Sequence, residues 1–125
     1  MILAVDDSPS MRGMLAYLLR SAGFDVVEAE DGHAALAAAR QRTFDLVLTD
    51  QNMPHMDGLA LVRSLRKLPE YRNTPILVLT TEHSDEIKRL GREAGATAWM
   101  TKPFDPDRLV GMLRAVLDIR AAGGH

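Results

Sequence analysis

DLVLTDQNMPHMDG, residues 45–58, begins as an apolar run that climbs to an aspartate and stops there. Leu46, Val47 and Leu48 are unbroken by polar residues, the pattern of a strand covered on both faces in a parallel sheet. Asp50 closes the run, and Pro54, Asp57 and Gly58 belong to a turn-rich loop before the next periodic segment. No lysine or arginine lies close to Asp50 in sequence. A carboxylate at the mouth of a buried strand therefore needs a partner from elsewhere in the chain.

Working outward, ILAV (2–5), ILVL (76–79) and the weaker AWM (98–100) repeat the unbroken pattern, while DVVEA (25–29) alternates partly and reads as an edge strand. Helical patterns fill the intervals. Ser8 is placed to N-cap a first helix with Pro9 at its first position. Met11, Met14, Leu15, Leu18, Leu19 and Ala22 form its apolar stripe, and Gly23 is placed to end it. Residues 32–41 are a short alanine-rich helix, and residues 58–68 another with Leu61, Val62, Leu65 and Leu68 inward. Residues 84–94 carry only a thin stripe of Ile87, Leu90 and Ala94. Asp105 caps a last helix with a strong stripe of Leu109, Met112, Leu113, Val116 and Leu117. Strand–helix alternation of this kind predicts an α/β doubly wound (βα)5 domain.

A chain of 125 residues suits one domain, placed at residues 1–121 with a flexible tail at 122–125. The net charge of −2 offers no electrostatic footprint for nucleic acid, and no apolar run approaches the roughly 20 residues needed for a membrane span. The absence of cysteine excludes disulfides and thiolate metal sites, and the N-terminal MILAVDDS lacks the basic segment of a signal peptide. A cytoplasmic protein is expected.

In doubly wound sheets, ligands bind beyond the carboxyl ends of the strands. The residues there are Asp6 and Asp7, Asp50, Thr80 and Thr81, and Thr101 and Lys102. Should strands 1 and 3 adjoin at the centre, Asp6, Asp7 and Asp50 converge, with Thr80 and Lys102 approaching from the other side. Crowded carboxylates repel unless a cation joins them, and an open all-oxygen site suits Mg²⁺. Asp50 is then a candidate nucleophile toward a phosphoryl group, which wants a metal, a cation and a hydroxyl on its three oxygens. Asp7 with its Mg²⁺, Lys102 and Thr80 supply those roles. The structural alternatives are helix-dipole carboxylates at Asp6 and Asp7, an ST-turn at Thr80 and a surface lysine at Lys102.

The pieces VDDS, SMR, EAEDG, TDQNMPHMDG, LTTE and TKPF, in this order at five strand ends, closely resemble the receiver domain of two-component response regulators. The resemblance is to the stand-alone chemotaxis (CheY-like) type and runs from about residue 2 to 118. It implies a flavodoxin-like five-stranded parallel sheet of order 2-1-3-4-5, an order known for chemotaxis receivers and so borrowed from them. It further implies Asp50 as phosphoacceptor and a Mg²⁺ site in which Asp7 is a direct ligand, Asp6 acts mainly through a metal-bound water, and Asp50 and the Asn52 carbonyl complete the set. Thr80 and Lys102 would bind phosphoryl oxygens, and the Lys102–Pro103 bond would be cis. Asn52 and Glu82 match positions that set the lifetime of the aspartyl phosphate. Trp99 stands where relatives carry a tyrosine or phenylalanine that turns inward on activation; an indole there either switches likewise or is a fixed aromatic at the sheet edge.

The implied partners are a chemotaxis-type histidine kinase and a protein target such as a flagellar motor switch component, reached by a monomer. Met11, beside Arg12, is an additional candidate for kinase docking. The expected activity is self-catalysed phosphorylation and dephosphorylation, with no turnover of external substrates. A haloacid dehalogenase-type phosphatase would need a second acid two places after Asp50, where this chain has Asn52. A flavodoxin-like cofactor binder would want a Ser-, Thr- and Gly-rich first loop in place of VDDSPSMR. A phosphorelay intermediate, a pilus-motility regulator and a receiver cut from a longer regulator remain open within the family.

Overall fold

A computed structural model describes residues 1–82 and 84–123, with side chains to residue 118. Five strands, β1 (Ile2–Val5), β2 (Val26–Ala29), β3 (Leu46–Asp50), β4 (Ile76–Thr80) and β5 (Ala98–Thr101), alternate with helices. The helices are α1 (Pro9–Ser21), α2 (Gly32–Gln41), α3 (Gly58–Arg66), α4 (Asp85–Ala94) and α5 (Pro106–Gly123). The sheet is parallel, in the order β2-β1-β3-β4-β5. The doubly wound, flavodoxin-like fold expected from the sequence is the fold observed.

The unbroken apolar runs resolve into two cores because successive strand residues face opposite sides of the sheet. Leu3, Val5, Val47, Ile76 and Val78 meet Leu36, Leu61 and Ile87 from α2, α3 and α4. Ile2, Ala4, Leu46, Leu48, Leu77 and Leu79 meet Leu15, Leu19, Leu109 and Leu113 from α1 and α5. Each core excludes water from one face, which is why these strands show no polar alternation.

Side-chain caps set the helix starts. Ser8 accepts from the Met11 N–H, Asp31 from Ala34, Asp57 from Ala60 and Ser84 from Ile87, each relieving an orphan donor of the first turn. Asp105 accepts from the Asp107 N–H before α5. Gly23, at φ 96°, takes the left-handed conformation just past α1, where it ends the helix as its position predicts.

Three expectations need adjustment. Met14 is 46% exposed, because the buried arc of α1 centres on Leu15, Ala16 and Leu19 and Met14 lies across the helix from Ala16. Leu68 lies beyond α3, at the cap of a short 3-10 turn over Pro69–Tyr71, with Pro69 preventing a longer helix. The last helix extends to Gly123, two residues into the expected tail at 122–125. Residues 124–125 lie outside the described residues.

Strand register builds the functional end of the sheet. Val5 pairs with Thr49, Asp50 with Leu79, and Thr80 with Thr101. Asp6, Asp50, Thr80 and Lys102 are therefore brought to one rim.

Candidate functional site

Asp6, Asp7 and Asp50 each present a carboxylate oxygen within 4.8 Å of the others. Asp6 and Asp50 are buried and Asp7 is exposed, so the hollow opens to solvent on the Asp7 side. The charge near Asp50 comes from the residue just past β5. Lys102 Nζ donates to Asp50 Oδ1 at 2.6 Å and stands 3.9 Å from Asp6 Oδ2. The lysine absent from the neighbourhood of Asp50 in sequence is thus supplied 52 positions later.

Local hydrogen bonds hold this rim. The Gln51 N–H donates to the Leu79 carbonyl at 2.8 Å, extending the ladder past Asp50. Gln51 Oε1 accepts from Leu59 N–H at 2.9 Å, while its Nε2 donates to Asp57 Oδ2 at 3.3 Å. The loop after β3 is thereby fastened to the first turn of α3. Gly58 permits that closeness, since a Cβ there would stand 2.6 Å from the Asp50 carbonyl oxygen. The Lys102 N–H donates to the Thr80 carbonyl at 2.7 Å, and the Lys102–Pro103 bond is cis, as the resemblance implies.

Asp6 carries the electrostatic cost of the arrangement. Its carboxyl is pushed above the ordinary 3.8, first by burial and then, less strongly, by the charges of Asp50 and Asp7; the Ser8 N–H and the Lys102 ammonium pull the other way. Its Oδ2 is the one buried side-chain polar atom without a hydrogen-bond partner among the described residues. An unpartnered buried oxygen facing two more carboxylates fits an oxygen-coordinated divalent cation such as Mg²⁺.

The other expected residues take these places. Thr80 is 2% exposed, and its Oγ1 accepts from the Glu82 N–H at 3.1 Å. The ST-turn considered as its structural alternative is therefore formed, and the hydroxyl keeps its own proton to donate. Asn52 is exposed, and its Nδ2 donates to Thr81 Oγ1 at 3.3 Å across the site's mouth. Thr81, which the sequence reading left without a role, is therefore tied to a candidate tuning residue. Glu82 is exposed on the loop after β4.

Trp99 is partly buried and packs against the core formed by α2, α3 and α4. Its ring covers Gly91 of α4 so closely that a Cβ at that glycine would stand 2.1 Å from Cη2. The helical pattern of residues 84–94 gave no sign that Gly91 serves as a seat; only the tertiary approach reveals it.

Fold and site together define a flavodoxin-like α/β domain whose central strands end in a three-aspartate hollow closed by a lysine. The chain belongs to the response regulator receiver domain family, whose model matches residues 2–114. Chemotaxis protein CheY4 of Vibrio cholerae is similar in structure, with 47% identity and a TM-score of 0.89 over 92% of this chain and 96% of that one. Protein PilH of Pseudomonas aeruginosa is 38% identical over 93% of this chain and 96% of its own length. The DNA-binding response regulator MtrA of Mycolicibacterium smegmatis is 42% identical over 93% of this chain, but only 50% of its own length. The chain spans about half the length, or less, of several curated relatives it matches. Receiver domains are two-component signalling modules that work through a histidine kinase and downstream targets, and they bind Mg²⁺ at an acidic pocket of this kind.

Proposed function

We propose that this receiver, spanning residues 1–121, takes a phosphoryl group from a histidine kinase onto Asp50 in a Mg²⁺-dependent reaction. It then signals through protein–protein contact in chemotaxis or motility. The observation that carries this reading is the Lys102 ammonium at 2.6 Å from a buried Asp50 that shares its hollow with Asp6 and Asp7.

In the proposed reaction a carboxylate oxygen of Asp50 forms a bond to phosphorus as the donor's P–N bond breaks, and the imidazole nitrogen leaves with the electron pair. A divalent ion held by Asp6, Asp7, Asp50 and the Asn52 carbonyl would offset the carboxylates' repulsion and the charge on the transferred group. Lys102 would neutralise a second phosphoryl oxygen, and the Thr80 hydroxyl would donate to a third. Water then hydrolyses the acyl phosphate over seconds to minutes, at a pace tuned by Asn52 and Glu82.

The added charge draws Thr80 and Lys102 inward, and Trp99 shifts with the loop after β4. A cleft of about 350 Å³ lies beside the site, lined by Thr80, Glu82, Lys88, Trp99, Phe104 and Arg108. Thr80 lies on both the site and this cleft, whose other residues come from the α4–β5–α5 side, where a protein such as a flagellar motor switch component would dock. The similarity to the chemotaxis protein CheY4 supports the chemotaxis setting. We read the protein as a cytoplasmic monomer without nucleic-acid or membrane partners. A second reading, the receiver of a longer regulator, is favoured by the half-length match to MtrA.

Incubation with acetyl phosphate and Mg²⁺, followed by peptide mass spectrometry after borohydride trapping, tests the central claim. One phosphoryl group is expected on Asp50 and none on Asp50→Asn. A modification mapped to any other residue, or one formed equally well in chelator, refutes it.

A further inference from the structure

We propose that Arg12 is a positioning residue for the metal-binding carboxylate of Asp6, an assignment that rests on the Mg²⁺ reading above. Arg12 lies in the first turn of α1, its side chain only 19% exposed. Its Nη1 donates to the backbone carbonyl of Asp6 at 2.9 Å. Its Nε stands 3.7 Å from Glu28 Oε1 on the edge strand, and Glu28 Oε2 in turn accepts from Arg20 at 3.4 Å. Two arginines and a glutamate thus link α1 and β2 to the last residue before the acidic loop.

Asp6 is consequently fixed at three points. Its N–H donates to Ala29 at 3.1 Å, its carbonyl accepts from Arg12, and its Oδ1 accepts from the Ser8 N–H at 2.9 Å. Only Oδ2 is left without a hydrogen bond, and it faces Lys102 and the neighbouring acids. The clamp spends every other polar group of Asp6 on the protein and reserves one oxygen for the hollow. Because the Asp6 carbonyl belongs to the peptide that carries Asp7, the guanidinium also sets the direction in which the exposed ligand leaves the strand.

Charge and position predict opposite signs here, which makes the assignment testable. A guanidinium near the site repels a divalent cation, so on charge alone its removal should tighten Mg²⁺ binding. If Arg12 acts by holding Asp6, its removal weakens Mg²⁺ binding, as loss of the groups that orient metal ligands commonly does, by roughly 10-fold.

The experiment is calorimetric titration of the full chain with Mg²⁺ at fixed ionic strength, paired with thermal unfolding in EDTA. Arg12→Met, with a stem of similar length and no donor, is expected to bind Mg²⁺ about 10-fold more weakly. Arg12→Lys, which keeps the charge but loses the guanidinium fork, is expected to fall between the two. Unchanged or tighter binding in Arg12→Met overturns the assignment, even if the apo melting temperature falls, since that combination describes a merely structural arginine. Should Arg12→Met fail to fold, Arg12→Lys decides: weaker binding than wild type supports the assignment and equal binding overturns it. A wild-type chain that binds no Mg²⁺ would remove the metal reading itself, whereas wild-type binding with indifferent Arg12 variants removes only the role of Arg12.

Discussion

Lys102 Nζ stands 2.6 Å from Asp50 Oδ1 and 3.9 Å from Asp6 Oδ2, so one ammonium serves two buried carboxylates. In a partly buried pocket this charge has a dual effect. It stabilises the acids at rest and, in the proposed reaction, would meet a phosphoryl oxygen during transfer. Lys102→Met should therefore separate metal binding from chemistry. Mg²⁺ affinity measured by calorimetry is expected to hold or rise, because a competing cation has gone. Phosphoryl uptake from acetyl phosphate, followed by intact mass, is expected to slow by roughly 100-fold. Parallel loss of both would mean that Lys102 organises the site as a whole.

Asp6 should oppose the stability of the metal-free fold. Its Oδ2 is buried without a partner, beside two other acids. Asp6→Asn removes that charge at nearly constant volume and is expected to raise stability in EDTA by on the order of 1 kcal/mol. The pH dependence has a definite sign. The folded-state pKa of Asp6 lies above its ordinary 3.8, so the folded form holds its proton more tightly than the unfolded chain does. Below 3.8 the carboxyl is neutral in both states and contributes no penalty; the penalty grows as pH rises and is complete above the raised value. Denaturant titrations of both proteins across this range should show the gap opening upward in pH, and a gap that closes instead contradicts the assignment.

Gly91→Ala sets two ordinary effects against each other. Alanine in place of glycine within a helix normally contributes about 1 kcal/mol of stability. At this position the new methyl would stand 2.1 Å from Trp99 Cη2, so the indole must move. Overpacking of this kind costs about 1–3 kcal/mol, enough to cancel or reverse the propensity gain. The expected result is a lower melting temperature together with red-shifted Trp99 emission. A stabilised variant with unchanged emission would show that the ring is not seated on α4 in solution.

Much of this architecture could be read from residues close together in sequence. Unbroken apolar runs gave the strands, and Ser8, Gly23 and Asp105 gave helix boundaries, because these signals act within one turn or one strand. The convergence of Asp6, Asp7 and Asp50, and the approach of Lys102, needed more than the local pattern: a strand order borrowed from the resemblance to chemotaxis receivers, joined to the site rule for such sheets. Long-range hydrogen bonding was not legible. Arg66 donates to the carbonyls of Tyr71, Thr74 and Gly95, fastening α3 to two distant turns, yet in sequence it is one of several basic residues near a helix end. The Tyr71 hydroxyl, on a wholly buried ring, shares its one proton between the carbonyls of Arg42 and Ala39, and nothing near residue 71 announces that partnership. Met14 was misplaced for a related reason: periodicity gives an apolar arc, but the neighbouring elements decide which part of it is covered.

If the acyl phosphate forms as proposed, the bond from Asn52 to Thr81 should act on its lifetime. At 3.3 Å, Asn52 Nδ2 and Thr81 Oγ1 join the loops after β3 and β4 at an exposed position, and in the proposed reaction the hydrolytic water would approach from there. An amide held there narrows the approach. Thr81→Val keeps the size of the side chain and deletes the acceptor, so it should release the amide and shorten the phosphoryl half-life about 3-fold, in line with the loss of one hydrogen bond. Asn52→Ala should shorten it at least as much. If the two act through one another, the double variant will match Asn52→Ala instead of multiplying the two effects, since residues sharing a single contact are not additive. Half-lives from trapped mass spectra after removal of the phosphodonor measure all four proteins. Independent, multiplying effects would show that Thr81 works on the site without Asn52, and a wild-type half-life of many hours would reject the assignment of Asn52 and Glu82 to rapid turnover.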